Sequence, residues 1–546
     1  MTARTGVDTT GAHVIADVLG DLGVEHVFGL PGIHMLPLWE ALRDREVRTI
    51  PLRTELDAGY AADGAARIAG SPTALVLSSG PGALIALASL MEAAAAHSPV
   101  IAIVGQVDSA FVGADRGVLH ELPDQIGSFR PVVKQAWSVR AADELGPTVL
   151  AAWTAASTAP CGPVFIEVPA DVLAGPAERW RPAEHERKRP TPVDAVAGDV
   201  AAVVDRLAAA ERPVLWAGTG VVRAGAWDAL RELAERWDAP VVPTPSARDV
   251  LPHDHPLSCG GGTHEAAMLR LLADADVVLA VGTRLGADAT GDFKLELSGD
   301  LIHVDVDADR VGRNYAADAL VGDAATVLAA LVERIPVRPT GAGEVRAAAV
   351  RDAVAARVAA EETGPEPGLV AAIRAALPAD AVDAWDSTIL GYWGAGYFPA
   401  RRPRRFLYPS GSGTIGYALP AALGAAAVRP DLPVLAVSGD GGFQYGIAEL
   451  AAARQHGLAV KLVLVDDGGY GILREYQDAR FGVRTATDLT EPDFVAVGEA
   501  FGLPVRRAGV DGFAADVDWL LAQDGPAMIV LESELRCYVF DEEEDQ

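Results

Sequence analysis

Short runs of Val, Ile, Leu and Ala recur along the chain, and Ala-rich stretches with apolar residues three and four apart stand between them. A strand buried on both faces needs no polar alternation, and a crossover helix needs one apolar stripe. The pattern therefore predicts an α/β fold with mainly parallel sheets. It falls into three consecutive blocks. In the first, to about Val172, strands are predicted at Val24–Leu30, Ala74–Ser78, Val100–Val104 and Val164–Val168, and the polar, Pro-rich stretch Ala174 to Pro192 reads as a linker. The second, about Val193 to Ile335, carries Val214–Ala217, Val241–Pro243, Val277–Val281 and Leu301–Val306. Pro336 to Gly343 and a charged Ala-rich helix lead into the third, from about Pro365, with strands at Val434–Ser438, Val460–Val465 and Ala527–Leu531. Domains are expected over residues 1–178, 193–336 and 365–546.

Length agrees with this division, since 546 residues exceed what one core holds. With 45 basic and 75 acidic residues the net charge is −30, and no basic cluster could neutralise a phosphate backbone, so nucleic acid is not expected as a partner. Cys161, Cys259 and Cys537 are too far apart for a zinc pattern and too few for a disulfide framework, which points to a reducing cytoplasm. No basic, then apolar leader opens the chain and charged or Gly/Pro residues interrupt every long apolar run, so no membrane role is expected. The acidic end, Asp541 to Asp545, reads as a solvated tail.

Candidate chemistry begins in the third block. One apolar strand delivers Gly439-Asp440-Gly441-Gly442 and a second delivers Asp466-Asp467-Gly468-Gly469-Tyr470-Gly471. Turns at the C-terminal ends of strands are where open α/β sheets bind ligands, and the helix N-termini that follow attract phosphate. Glycine lets the backbone approach phosphate oxygens, while one carboxylate from each turn can hold a hard, oxygen-liganded cation.

The pair resembles the thiamine diphosphate motif, a Gly-Asp-Gly followed at a set distance by two Asn; here Asp467 lies 27 residues after Asp440. The chain is thereby identified as resembling the thiamine diphosphate-dependent decarboxylase and carboligase superfamily of acetolactate synthase, pyruvate decarboxylase and benzaldehyde lyase. The resemblance implies pyrimidine-binding, central Rossmann-like and diphosphate-binding domains in that order. It also implies magnesium on Asp440, Asp467 and the Gly469 carbonyl, and cofactor contacts from Ser387, Thr388, Gly441, Gly442, Tyr470 and Gly471. Asp466-Asp467 departs from the usual Asn-Asn, although an Asp carboxylate is also a magnesium ligand. Upstream, Gly411-Ser412-Gly413-Thr414-Ile415-Gly416-Tyr417 resembles the family segment whose bulky apolar residue, here Ile415, wedges beneath the cofactor; Gly413 would offer its carbonyl to the aminopyrimidine, and Thr414 lies between them.

Arg53-Thr54-Glu55 followed by an Ala-rich helix resembles the family's catalytic Glu motif, the preceding apolar strand being expected to end at Glu55. Gly29-Leu30-Pro31-Gly32 and Ser79-Gly80-Pro81-Gly82 stand in the family's order around it. Glu55 is implied to bond the aminopyrimidine and so promote loss of the thiazolium proton. Because Glu55 lies in the first block and the metal turns in the third, the family plan implies a site made by two chains, a homodimer at least and a tetramer by expectation. His34 aligns with a substrate-facing His of benzaldehyde lyase, and His120, in Leu119-His120-Glu121-Leu122-Pro123-Asp124-Gln125, stands where acetolactate synthases carry Phe-Gln-Glu. Both suit proton transfer near neutral pH, and Ile33 is a substrate candidate beside His34.

The central block has Gly218-Thr219-Gly220 after a strand, without the third glycine or the later acidic residue of a nicotinamide fingerprint. Flavin adenine dinucleotide, held there by acetolactate synthases, is not expected. Asp288 stands where the synthases place their acceptor-site Arg, and Tyr476 where they carry Trp. The segment at His120 is similar to one in decarboxylases of longer 2-oxo acids, including guanidino-substituted ones, and Asp288 could pair a cationic side chain. The expected reaction is non-oxidative decarboxylation of a 2-oxo acid, with release as aldehyde or carboligation to an acceptor. An acetolactate synthase-type carboligase, a cofactor-binding subunit without turnover and an α/β protein without the cofactor are the alternatives.

Overall fold

A computed structural model describes residues 9–188, 196–262, 264–339, 341–360 and 364–538. The acidic run Asp541–Asp545 and the end of the predicted linker, residues 189–192, lie outside the described residues. Three sheets follow one another along the chain. The first has β1 (His26–Gly29), β2 (Arg48–Pro51), β3 (Thr73–Leu77), β4 (Val100–Gln106), β5 (Gln135–Ser138) and β6 (Val164–Pro169) in the order β2-β1-β3-β4-β6-β5. The second has β7 (Pro213–Ala217), β8 (Val241–Pro243), β9 (Val277–Val281), β10 (Asp300–Asp305) and β11 (Asp318–Val321) in the order β11-β10-β9-β7-β8. The third has β12 (Val382–Trp385), β13 (Phe406–Leu407), β14 (Val434–Gly439), β15 (Val460–Asp466), β16 (Val505–Ala508) and β17 (Ala527–Glu532) in the order β13-β12-β14-β15-β17-β16. Pairing is parallel, for example Val27 opposite Ala74, Val214 opposite Val278 and Leu462 opposite Met528. Such strands need crossover connections, and helices supply them.

Each predicted strand is present to within two residues. Five strands were not predicted: β5, β11, β13 and β16, which lie at sheet edges, and β12. An edge strand turns groups to water, and Gln135, Asp318, Arg506 and Arg507 are exposed there, so no unbroken apolar run marks them. β12 lies inside its sheet but contains Asp383, a buried carboxyl that accepts from the Trp385 indole at 2.7 Å. The strand before Glu55 stops at Pro51 and not at Glu55 itself, because Thr54 is needed as the helix cap.

The described residues group into two compact units. One comprises the chain up to Pro190 with Gly411–Asp431 and Gly446–Val460; the other comprises Thr191–Ser410, Leu432–Tyr445 and the chain from Lys461. Within the first unit, helix Ala418–Val428 packs on helix Glu55–Ala69 so closely that a Cβ on Gly64 would overlap the Ala421 carbonyl and one on Gly424 the Ala61 carbonyl. Glycine permits that approach and nothing larger does. Among the described residues no helix is long and apolar enough to cross a membrane.

Candidate active site

In the first unit Glu55 opens helix Glu55–Ala69, and its neighbours fix that helix start. The Thr54 hydroxyl oxygen accepts from Asp57 N at 3.0 Å and donates to Asp57 Oδ2 at 2.7 Å. Glu449, from the helix Glu449–His456, accepts from the backbone N–H of Arg53 at 2.7 Å and of Thr54 at 3.2 Å. Asp57 and Glu449 are wholly buried, and their remaining oxygens, Asp57 Oδ1 and Glu449 Oε2, have no other donor. The two carboxyls lie within hydrogen-bond reach of each other, and burial pushes both upward from the ordinary carboxylate range. Two carboxyls in such contact resist joint ionisation, which favours one proton shared between them.

The turn Ser79-Gly80-Pro81-Gly82 gathers the candidate catalytic side chains. A Cβ on Gly82 would stand 2.8 Å from Glu55 Oε1, so glycine there leaves the Glu55 carboxylate its place. Ser79 Oγ is 2.8 Å from His34 Nδ1, and the His34 and His120 rings lie 5.4 Å apart at 59°. His120 has a left-handed backbone, φ 65°, and its buried Nδ1 has no hydrogen-bond partner. Burial first, and His120 second, hold the His34 pKa below its ordinary value. Gln125 holds the turn, accepting from Gly80 N at 2.8 Å and donating to the Gly105 carbonyl at 3.0 Å. Ile33 is 65% exposed.

The 411–417 segment is tied down in the same unit. Glu92 Oε2 accepts from Ser412 N at 2.8 Å, Thr414 Oγ1 is 2.6 Å from Tyr60 Oη, and Tyr417 Oη donates to Asp63 Oδ2 at 2.9 Å. Arg67, buried between Asp63 and Glu92, balances them. Ile415 stays partly exposed instead of joining a core, and Gly413 has φ 65°.

In the second unit the two acidic turns meet. Asp440 follows β14; its Oδ1 accepts from Gly441 N at 2.7 Å and its Oδ2 from Gly469 N at 2.8 Å. Asp467 follows β15 with its side chain 6% exposed, and its buried Oδ1 lacks a hydrogen bond although the Arg474 guanidinium is 2.8 Å away. Burial first, and the Asp440 charge second, push Asp467 up to about 7. Glu491 accepts from Gln444 at 2.8 Å, and burial followed by Asp440, Asp466 and Asp467 raises it to about 7. Crowded carboxylates and an orphaned buried oxygen suit a hard dication. Among the described residues no three His, Cys, Asp or Glu side chains form a ready cage. Magnesium ordinarily takes one or two carboxylates and completes its octahedron with phosphate oxygens and water, so the donor set fits it. Gly442 lies in the short helix Asp440–Phe443, Gly471 begins helix Gly471–Phe481, and Tyr470 N donates to the Thr487 carbonyl. Ser387 N donates to Asp386 Oδ1 at 2.9 Å, and Thr388 caps helix Ile389–Tyr397.

Asp288 is exposed in the first turn of helix Ala287–Thr290, and Tyr476 is exposed beneath the Arg480 guanidinium, 5.4 Å from its ring centre. In the central sheet a Cβ on Gly220 would stand 2.6 Å from Gly282 Cα, so packing between two turns accounts for that glycine. Ser79 and Gln125 lie in the quoted motifs without a role of their own; sequence reasoning passed over Glu449, Glu92, Arg474 and Glu491. Each acts through a partner distant in the chain or on another element, and no local spacing marks it.

Carboxylate turns suited to a diphosphate and its cation in one sheet, and a buried-capped glutamate at a helix start in another, define a diphosphate-cofactor enzyme with three α/β sheets. Residues 9–128 match the thiamine pyrophosphate enzyme N-terminal TPP binding domain, 200–331 the central domain and 386–531 the C-terminal TPP binding domain. The chain is 35% identical over 531 residues to a probable 2-ketoarginine decarboxylase of Pseudomonas aeruginosa, covering 96% of this chain and 94% of that one. It is 32% identical over 539 residues to the acetolactate synthase isozyme 1 large subunit of Escherichia coli, covering 97% and 94%. A solved thiamine diphosphate-dependent 4-hydroxybenzoylformate decarboxylase of Rhodococcus jostii superposes with a TM-score of 0.81 at 25% identity, over 97% of this chain and 100% of that one. The chain belongs to the thiamine pyrophosphate enzyme family, and it is an enzyme of the decarboxylase and carboligase type.

Proposed function

We propose that this enzyme decarboxylates a 2-oxo acid with a long, cationic side chain and releases the aldehyde. The observation that carries the side chain is Asp288, an exposed carboxylate where the resemblance expects a synthase's acceptor-site Arg. A carboxylate recognises a guanidinium through paired charge-assisted hydrogen bonds. The similarity to the probable 2-ketoarginine decarboxylase of Pseudomonas aeruginosa supports the same reading.

Thiamine diphosphate supplies the electron sink for the carbanion left by loss of carbon dioxide. Asp440, Asp467 and the Gly469 carbonyl would hold magnesium, and Ile415 and the Gly413 carbonyl would orient the cofactor. Glu55 would hold or release the proton that the bound cofactor needs for its activation. His34 and His120 would carry a proton to the product carbon. Supporting a homodimer, Leu84, Ile85, Ala88 and Met91 leave an apolar stripe exposed along the helices Pro81–Ile85 and Leu87–Ala95, and Leu119 is 65% exposed.

The test is a substrate panel. Carbon dioxide release should be fastest with 5-guanidino-2-oxopentanoate, with the aldehyde as product, and Asp288→Asn should raise KM for that acid while leaving neutral acids unaffected. Preference for pyruvate with 2-acetolactate as product would establish the carboligase reading, which the Escherichia coli synthase relative favours.

A further inference from the structure

The metal turn of this chain carries a carboxylate, Asp467, where the motif it resembles has a neutral amide. That substitution adds a negative charge beside Asp440 and Asp466, at the place where a diphosphate must come. The structure holds a compensating group. Arg474, one of the few buried guanidinium side chains at 9% exposure, projects from helix Gly471–Phe481. Its Nη2 is 2.8 Å from Asp467 Oδ1 and donates to the Asp467 main-chain carbonyl at 2.7 Å, so it grips the residue by side chain and backbone together. A second carboxylate near it, Asp488, is 3.7 Å away, 65% exposed and also 3.9 Å from Arg484, so water and a second guanidinium screen it. The buried partner of Arg474 is Asp467. Gly471 completes the arrangement, since a Cβ there would overlap Asp467 Oδ2.

We propose that Arg474 is the counter-charge that lets an aspartate serve as the metal ligand at position 467. It is a positioning residue that acts through Asp467: it returns the turn to the net charge of an amide-liganded site while aiming the carboxylate. With Arg474 removed, the diphosphate meets one more uncompensated negative charge at low dielectric. With Asp467 neutralised as well, that excess disappears.

The proposal rests on the magnesium assignment above, and its test separates the two. Thiamine diphosphate is titrated calorimetrically into apo protein at saturating magnesium, for wild type, Arg474→Gln, Asp467→Asn and the double variant. Arg474→Gln should weaken binding by about tenfold or more, Asp467→Asn should bind within about threefold of wild type, and the double variant should return to the Asp467→Asn level. A double variant as weak as Arg474→Gln alone would show that Arg474 works only through the backbone carbonyl, and an unchanged Arg474→Gln would show that it does not act on the site; either overturns the proposal. Should Arg474→Gln fail to fold by circular dichroism, Arg474→Met in the Asp467→Asn background takes its place: recovery of folding and of affinity there supports the charge pairing, and failure there overturns it. Wild-type binding that needs no divalent cation would instead remove the magnesium assignment itself.

Discussion

Glu55 and Gly82 form the tightest functional pair in the first unit, a carboxylate and the space reserved for it. In the proposed site the acidic turns of the third sheet anchor the diphosphate, so neutralising Glu55 should separate binding from turnover. Glu55→Gln should hold thiamine diphosphate within a few-fold of wild type and lose turnover by about two to four orders of magnitude, the scale of a positioned acid–base group. Exchange of the cofactor C2 proton, followed by NMR under saturating cofactor and metal, reads the same step directly. Unchanged exchange would place the catalytic carboxylate on another residue. Gly82→Ala tests position in place of charge. The added methyl would stand 2.8 Å from Glu55 Oε1 and 3.2 Å from Ser78 Cβ, displacing the carboxylate. Turnover should fall about tenfold to hundredfold with cofactor affinity retained, because small misplacements are costly to a reacting geometry. Equal turnover in Gly82→Ala would mean that the carboxylate has room to shift.

The helix that begins at Glu55 is held by an acid pair, and this gives the fold a pH dependence of known sign. Burial raises both Asp57 and Glu449 in the folded state, so the native protein retains a proton that the unfolded chain has released above about pH 4.5. Where the native state binds more protons, stability falls with rising pH. The contribution of the pair is fully present below the ordinary carboxylate range and is lost as pH climbs through neutrality. Asp57→Asn supplies a permanent N–H in the place of the shared proton. The difference in Tm between Asp57→Asn and wild type should therefore grow in favour of the variant between about pH 5 and pH 9. A constant difference would mean that no proton is held. Glu449→Gln, which keeps an acceptor for the Arg53 and Thr54 N–H groups, should behave likewise, whereas Glu449→Ala should lose about 1–3 kcal/mol or more through stranded donors.

At the scale of the whole molecule, the proposed site calls for Glu55 of one chain to meet the acidic turns of a second. If a second copy supplies that meeting, breaking the apolar stripe should abolish activity without touching either half. Leu84→Glu with Met91→Glu should sediment as a monomer, remain folded, and lose turnover by more than about a hundredfold. A fully active monomer would show that one chain is sufficient. The purified wild type should also be colourless, and a stoichiometric flavin required for turnover would restore the synthase reading.

Strands buried on both faces were legible in the sequence, because β3, β4, β9, β14 and β15 offer almost nothing but apolar side chains to either side. The acidic turns were legible for a related reason: a strand end, a carboxylate and adjacent glycines are local, and their chemistry travels with them. Edge strands such as β11, with two of its residues exposed at its start, were not, since half their surface obeys water and not the core. Nor were the residues that complete the site. Glu449 caps a helix 396 positions earlier, Glu92 holds a turn 320 positions later, and Arg474 is a surface-like residue until the fold closes it on Asp467. The chain alone determined which segments are buried and which turns can face phosphate and metal, because both are decided by neighbours in sequence. Only the tertiary structure decided which polar side chain satisfies which buried group, because that depends on segments brought together by packing, and burial then makes each such pairing obligatory.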